Sequence, residues 1–472
     1  MRGASLSRVH EALTMEDVIA ASGGRRLSTA HADTLTGVSI DSRTLEPGQL
    51  FVAIVGPRFD GHDFLAQATQ RGAAATLVHR DVALPPGVDV VRVADTTEAL
   101  GALAAHRRLA AQVPVVAITG STGKTTTKEM AAALLEGRGP VLKTRGNLNN
   151  QWGLPLTLLG LQPEHQAAVL ELGMSAAGEL RALSRIASPD VAVITNVAPV
   201  HLEFFSSVEA IAAAKGEILE GLCPGGAAVL NGDDPRVRRI GESFPGEVVW
   251  FGSDRRFDVC AESWRGTIHG MRFDLRIGGR RFDVALPLPG RHFLTSFLAA
   301  TAVAVRLGVD AETIAAAAAR LEAAPGRGRV LRLGQGVTLL DDSYNANPVA
   351  VEAAVAALAL GPVGRRVAFL GDMLELGPTA PELHRQVGAA VAAHLDELVA
   401  VGPLGRHLAE GARQGGLSPS SVATFDTSVE AAAGASEIVQ PGDSVLVKGS
   451  RGIAMERVVA ALVAHLGSGV SD

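Results

Sequence analysis

Only two cysteines occur in 472 residues, Cys223 and Cys260, and neither stands in a CxxC or other metal-ligand spacing. That excludes a disulfide-stapled scaffold and a thiolate metal site, argues for a reducing compartment, and leaves both side chains as small buried hydrophobes. A basic surplus is missing too: 43 Lys and Arg stand against 49 Asp and Glu, a formal charge of −6, so nothing marks nucleic acid as a partner. An anionic small-molecule substrate then needs a local basic pocket. No apolar run is long enough to span a membrane. The stretch 296–305 is stopped by Arg306, well short of the ~20 residues a span requires. Residues 1–24 hold no apolar segment ahead of a cleavage site, so no leader is expected and the cytoplasm is the expected compartment. Neither an internal repeat nor a coiled-coil period is evident.

What is present is a hydrophobic content of 47%, ample for sizeable cores, and a length that predicts about three domains. The run VVAITGSTGKTTTKEM over 115–130 is the most informative segment. Apolar and β-branched residues come first, then Gly120, Ser121, Thr122, Gly123, Lys124, Thr125 and Thr126, then a helical pattern. This reads as a strand, a phosphate-cradling turn and a helix. Glycines let the backbone approach phosphate oxygens, the helix N-terminus offers unpaired N–H groups, and Lys124 and Thr125 suit a terminal phosphate and its Mg²⁺. The strict GxxxxGK[ST] pattern would need Gly at position 118, which is Ile118. The loop is therefore a shorter GxxGKT variant, still requiring ATP or a relative.

Short strands are expected over 38–40, 50–55, 75–78 and 88–93, with a helix over 64–71 and a turn at Pro47 and Gly48. Thr96 and Thr97 offer an N-cap for an Ala-rich helix to Leu109, which sets a boundary near Ala94. Strands at 167–172, 191–194, 227–230 and 248–251 alternate with helices up to about residue 324, the pattern of a largely parallel sheet covered on both faces. The Gly- and Arg-rich stretch 323–329 reads as a linker. Strands at 338–340, 366–370, 397–401 and 444–447 then build a further doubly wound unit. The fold class is α/β in three domains: 1–94, 95–324 with a phosphate-loop ATPase-like parallel sheet, and a Rossmann-like 325–472.

Further polar candidates lie at strand ends of the middle domain, where open α/β sheets place ligands. Glu171, in ELGMS, suits Mg²⁺; the alternative is a helix N-terminal charge. His201, in TNVAPVHLEFF, reads by itself as a structural histidine. Lys215 follows a run of apolar and small residues, which would desolvate its amine, although spacing alone gives an ordinary helix lysine.

Taken together, GSTGKTTTKEM, TRGNLNNQWGLP, ELGMS, NVAPVHLEFFSSVEAIAAAKGEI, DDSYNANP, LGDMLELG and VKGSR occur in the order seen in one family. The chain resembles the Mur ligases over nearly its whole length. GxxGKT is shared across that family and with folylpolyglutamate synthases, whereas DDSYNANP and GDMLELG resemble the branch that adds D-alanyl-D-alanine to a UDP-N-acetylmuramoyl-tripeptide. The DNPR run of the branch adding the third amino acid is absent.

The resemblance implies an ATP-driven amide ligase working through an acyl phosphate and giving the pentapeptide precursor of peptidoglycan, as a cytoplasmic monomer with small-molecule substrates only. It implies that Lys124 contacts the β and γ phosphates, that the 120–123 backbone wraps them, and that Thr125, Glu171 and His201 hold two Mg²⁺ ions together with a carbamylated Lys215. Asn147, Asn149 and Asn150 would lie near substrate and phosphates. Ser42, Arg43, Asp60, Gly61 and His62 match uridine-diphosphate-binding segments, an arginine and backbone donors being suited to a diphosphate. Asp342 would take the ATP ribose with Asn345 in the same loop. Arg327 matches a nucleotide-contacting GR motif, and Lys448 and Arg451 would meet a peptide carboxylate or the transferred phosphate. One departure stands out: the family places Asn at the positions of Phe293 and Ser296, where those amides help hold adenine and ribose.

Overall fold

The computed structural model describes residues 13–27, 33–83, 86–200, 203–361 and 364–467. Among the described residues three large sheets follow one another along the chain, beside two two-stranded ones, Leu13–Thr14 with Thr34–Leu35 and Val55–Gly56 with Phe59–Asp60. The first has five strands in the order Arg25–Arg26, Asp89–Arg92, Ala75–Val78, Leu50–Val52, Val38–Ser39, antiparallel only at the Arg25–Arg26 edge. Alternation along its strands sends Leu50, Val52, Leu77 and Val91 to one face and Phe51, Val78 and Val90 to the other. Helix Leu65–Gln70 covers the second face through Leu65 and Ala68.

The helix Thr96–Ala111 joins this sheet to the next: Ala99, Leu100 and Leu103 pack into the first core, Ala104 and Ala111 into the second. Its N-cap is Asp95, whose carboxylate accepts from the amides of Thr97 at 2.7 Å and Glu98 at 2.9 Å, not Thr96 or Thr97 as the sequence suggested. An ionised acceptor satisfies the helix-end amides more strongly than a hydroxyl. The Thr96 hydroxyl instead donates to the Ala53 carbonyl at 2.9 Å.

The central sheet has nine strands in the order Val141–Lys143, Ala167–Glu171, Val115–Thr119, Val191–Ile194, Ala227–Asn231, Glu247–Gly252, Val259–Thr267, Gly270–Ile277, Arg280–Leu286. The first seven pair in parallel. Strand Val115–Thr119 is buried throughout: Val116 and Ile118 face the phosphate-loop helix Lys124–Leu135 and helix Arg291–Arg306, while Val115 and Ala117 face the layer of Thr96–Ala111 and Glu179–Ala187. Each such buried Val or Ile stabilises the fold by about 1.5–3 kcal/mol.

Strand and helix do not alternate as far as residue 324. The last two pairings are antiparallel, and the final turn is Gly278–Gly279 with φ of 54° and 81°, the left-handed pair that a tight two-residue hairpin requires.

The third sheet runs Arg329–Arg332, Thr338–Asp342, Ser444–Lys448, Arg366–Gly371, Glu397–Val401, Val422–Phe425, antiparallel only at its first pair. The 321–328 segment before it is irregular, in keeping with the expected linker. Strands 75–78, 191–194 and 397–401 have the bounds read from sequence.

Candidate active site

The carboxyl ends of Val115–Thr119, Ala167–Glu171 and Val191–Ile194 lie side by side, where an open parallel sheet leaves a crevice. A cavity of about 890 Å³ opens there, walled on the far side by the third domain. The phosphate loop forms its floor. Gly120 has a φ of 153°, and a Cβ there would collide with the Thr195 hydroxyl oxygen, so only glycine fits. Asn196 fixes the turn from the next strand: its Oδ1 accepts from the Thr122 amide at 2.9 Å, its Nδ2 donates to Thr122 Oγ1 at 2.7 Å, and its carbonyl accepts from the Ser121 amide at 3.0 Å. Ser121 Oγ donates to the Ala198 carbonyl at 3.1 Å. Gly123 caps the helix Lys124–Leu135, and Thr126 also lines the cavity.

Lys124 Nζ donates to the Gly120 carbonyl at 2.8 Å. Desolvation holds its pKa below the ordinary lysine value, with Arg327 acting the same way and Glu171 and Glu375 opposing it. Thr125 Oγ1 donates to Glu171 Oε2 at 2.8 Å, and Asn149 Nδ2 donates to Glu171 Oε1 at 2.9 Å. The Glu171 carboxylate is 4% exposed and sits at the end of its strand. A buried carboxylate touching a hydroxyl is a hard-oxygen pair of the type Mg²⁺ takes beside phosphate and water. No three His, Cys, Asp or Glu side chains gather into a metal cage among the described residues, and Mg²⁺ on a nucleotide does not need one. His201, the other expected ligand, lies outside the described residues.

Lys215 closes the helix Val208–Gly216 and is 1% exposed. It does not line the cavity but is buried close behind it. Burial, with repulsion from Lys124, lowers its pKa well below the usual lysine value. Nothing among the described residues hydrogen-bonds or ion-pairs with its amine, and its burial favours the neutral form over the ammonium. The desolvation inferred from its apolar neighbours is present.

The three asparagines of 147–150 divide their work. All three line the cavity; Asn149 also holds Glu171, and Asn150 Oδ1 accepts from the amides of Trp152 at 3.2 Å and Gly153 at 2.9 Å ahead of the helix Gly153–Leu159. Sequence reasoning missed the support beneath them. Lys128, 1% exposed, donates to the Thr144 carbonyl at 2.7 Å, and Thr144 Oγ1 accepts from the Glu171 amide at 3.0 Å. The second lysine of GKTTTKE was its only signal.

On the third-domain wall, Asp342 and Lys448 meet each other: Lys448 Nζ lies 2.6 Å from Asp342 Oδ2 and 2.8 Å from the Asn345 carbonyl. Arg327 and Arg451 flank the single tyrosine, with guanidinium carbons 3.9 and 5.4 Å from the Tyr344 ring centre. Arg451 also reaches Glu456 at 2.9 Å. Facing that wall from the first turn of the central-domain helix Arg291–Arg306, His292, unremarked in the sequence, lines the cavity with a buried Nδ1 that has no partner among the described residues; burial lowers its pKa to about 4 against the pull of Asp342. Phe293 is 2% exposed in the central core and its ring packs against Gly328 of the linker. Ser296 Oγ lies 3.1 Å from where a Cβ on Gly123 would stand.

The first-domain candidates do not share this cavity. Ser42 Oγ donates to Gln67 at 2.6 Å, Arg43 pairs with Asp41 at 2.7 Å, and Asp60 accepts from the His62 amide at 2.9 Å and the His62 ring at 2.6 Å. Arg80 also reaches Asp60, at 2.9 Å. Gly61 fits against the backbone of Ile54, 2.7 Å from its Cβ position.

Comparison with known proteins bears on this geometry. Family models described as Mur ligase catalytic domain, middle domain and glutamate ligase domain match residues 34–108, 118–304 and 326–451. The chain is 42% identical over 434 residues to the UDP-N-acetylmuramoyl-tripeptide--D-alanyl-D-alanine ligase of Escherichia coli, covering 91% of this chain and 94% of that one. A crystal structure of MurF from Acinetobacter baumannii superposes with a TM-score of 0.89 at 34% identity, covering 96% and 99%. MurF ligase from Thermotoga maritima, in complex with ADP, superposes with a TM-score of 0.80 at 32% identity, covering 90% and 96%.

Proposed function

The chain belongs to the Mur ligase family, and from that membership and the cavity's residues we propose that it joins D-alanyl-D-alanine to UDP-N-acetylmuramoyl-tripeptide at the expense of ATP. The observation that carries the reading is the contact of Thr125 with the buried Glu171 carboxylate beside Lys124, in a cavity whose opposite wall holds Asp342, Lys448 and Arg327. A free carboxylate is too poor an electrophile for an amine. The terminal carboxylate of the tripeptide therefore attacks the γ-phosphorus, forming a C–O–P linkage and releasing ADP. The amine of the dipeptide then attacks the acyl phosphate, and the tetrahedral intermediate collapses to amide and phosphate. Of the two protons shed by the ammonium, one leaves with the phosphate and one goes to solvent.

Lys124 neutralises charge on the transferred group, and the 120–123 backbone donates to phosphate oxygens. Thr125 and Glu171, with His201, are the residues that would hold Mg²⁺, which when bound supplies charge neutralisation at the phosphates. Lys215 suits carbamylation: burial favours the neutral form of its amine, which on adding CO₂ and losing a proton becomes an anion able to serve as an oxygen ligand. Asp342 and Asn345 are read as the ribose contacts, with Arg327 stacked on Tyr344 at the nucleotide's edge. Lys448, held by Asp342, is read as facing phosphate or peptide carboxylate with Arg451. Asn147 and Asn149 border the reacting groups. Ser42, Arg43 and the Asp60, Gly61 and His62 turn are read as the uridine-diphosphate end. Closure of three domains would exclude water that hydrolyses the acyl phosphate. With every segment the reading uses on one chain, a monomer is proposed as the working unit. No helix of the described residues is long and apolar enough to cross a membrane, and ATP as substrate favours the cytoplasm.

The test is phosphate release from Mg²⁺ATP and UDP-N-acetylmuramoyl-tripeptide with D-alanyl-D-alanine, compared with single amino acids or glutamate. Release with the dipeptide alone, with a matching mass gain in the nucleotide product, is expected. Release with a single amino acid would move the chain to another branch.

A further inference from the structure

The LGDMLELG run over 370–377 contributes a carboxylate that none of the steps above uses. Glu375 is exposed on the cavity's third-domain wall, near enough to Lys124 to raise that ammonium's pKa. Its backbone is left-handed, φ 63°, a conformation that costs a residue with a Cβ and persists only where the surroundings impose it. The surroundings do so residue by residue. Asp372 accepts from the Leu404 amide at 3.1 Å, and its carbonyl accepts from the Ser450 amide at 3.0 Å. The Met373 amide donates to His384 Nε2 at 3.0 Å, and the Leu374 amide donates to Ser450 Oγ at 2.9 Å. Leu376 is buried, 2% exposed. A loop pinned on both sides of a strained glutamate is built to aim that side chain.

The loop also touches the one that carries Arg451. Leu374 Cδ1 stands 2.9 Å from the Cβ position of Gly452, the Ser450 bond spans the same two loops, and Arg451 lines the same cavity. An anion and a cation thus stand on adjoining loops at the wall that faces the phosphate end of the cavity. Arg451 is held by Glu456 at 2.9 Å, so the matching ligand offers an ammonium to Glu375 and a carboxylate that competes with Glu456 for the guanidinium, the chemistry of a free dipeptide zwitterion. We propose that Glu375 takes the ammonium of D-alanyl-D-alanine, with Arg451 receiving its carboxylate, so that the nucleophile is presented from the third domain towards the acyl phosphate. This rests on the ligase reading above.

The experiment is steady-state kinetics of full-length Glu375→Gln with each substrate varied in turn, together with ADP–ATP exchange driven by UDP-N-acetylmuramoyl-tripeptide in the absence of dipeptide. The KM for D-alanyl-D-alanine should rise about tenfold or more, as expected for removing one partner of a charged hydrogen bond, while the KM values for ATP and the tripeptide and the exchange rate stay within about twofold. Glu375→Asp, which keeps the charge, should recover part of the dipeptide KM, and it serves as the working variant if the glutamine form does not fold. An unchanged dipeptide KM, or an exchange rate that falls with it, overturns the proposal, the second outcome assigning Glu375 to the phosphate end. Absence of phosphate release by the unsubstituted protein with ATP, the tripeptide and the dipeptide together would overturn the ligase reading itself.

Discussion

The floor of the central cavity and the Asp60–His62 turn of the first domain carry equally dense polar side chains, yet their bonding is of opposite kinds. On the floor, Thr125, Asn149 and Glu171 bond to one another while lining the cavity. Hydrogen bonding there orients groups and leaves them facing a ligand. In the turn, the bonds close on the protein itself: Asp60 takes the His62 ring, and His62 Nε2 accepts from the His79 amide at 3.2 Å. Both nitrogens of His62 are spent, and its side chain is 1% exposed. Arg43, in the same set of first-domain candidates, is 80% exposed and held only by its neighbour Asp41, at 2.7 Å. Motif membership therefore does not rank residues by role; the state of their hydrogen bonds does.

The largest effect is expected at Lys215, whose amine has no partner among the described residues. Lys215→Ala should abolish turnover, with partial recovery on adding a short carboxylate such as acetate, measured as phosphate release. Full activity without rescue would remove the carbamate role. Next comes Lys124→Ala. Deleting a preorganised charge at the transferred phosphate should lower kcat/KM by roughly two orders of magnitude or more, and near-normal turnover would unseat the phosphate-loop assignment.

A smaller effect tests whether the floor is held from beneath. Thr144 links Lys128 to the amide of Glu171. Thr144→Val keeps the shape and loses the acceptor, so one net hydrogen bond of about 1 kcal/mol should appear as a several-fold fall in kcat with a raised Mg²⁺ requirement. Thr144→Ser should restore both. Equal losses in the two variants would make Thr144 a packing residue only.

These residues also mark how far the sequence could be read. GxxGKT was legible because six neighbouring residues make the whole turn, and Ala75–Val78 or Glu397–Val401 because uninterrupted apolar runs between breakers belong to strands buried on both faces. The hairpins over 259–286 escaped because MRFDLRI and RRFDVAL alternate polar with apolar, the mark of strands with one wet face. Lys128 and Thr144 meet across a strand, Glu375 reaches the cavity from another domain, and the burial of Lys215 depends on what packs around its helix. None of those distances is encoded in local spacing.

The smallest effect is expected from pH on the turn of the first domain. Because His62 Nε2 accepts a hydrogen bond, a second proton on the ring must break it, and burial, against the pull of Asp60, lowers the His62 pKa below its ordinary 6.5. The unfolded chain then binds the proton first, so stability contributed by this turn is present above about pH 6.5 and declines as the pH falls below it. Asp60, whose pKa is itself lowered from 3.8, titrates in a separate, more acidic window. Denaturation midpoints measured from pH 7.5 to 5 should therefore fall more steeply for the unsubstituted protein than for His62→Gln. Arg43→Ala, removing an exposed group, should leave those midpoints within about 0.5 kcal/mol and raise only the KM for the UDP-linked substrate. Identical slopes for both forms of residue 62 would show that the turn is not closed by its histidine, and the contrast with the cavity floor would have to be drawn elsewhere.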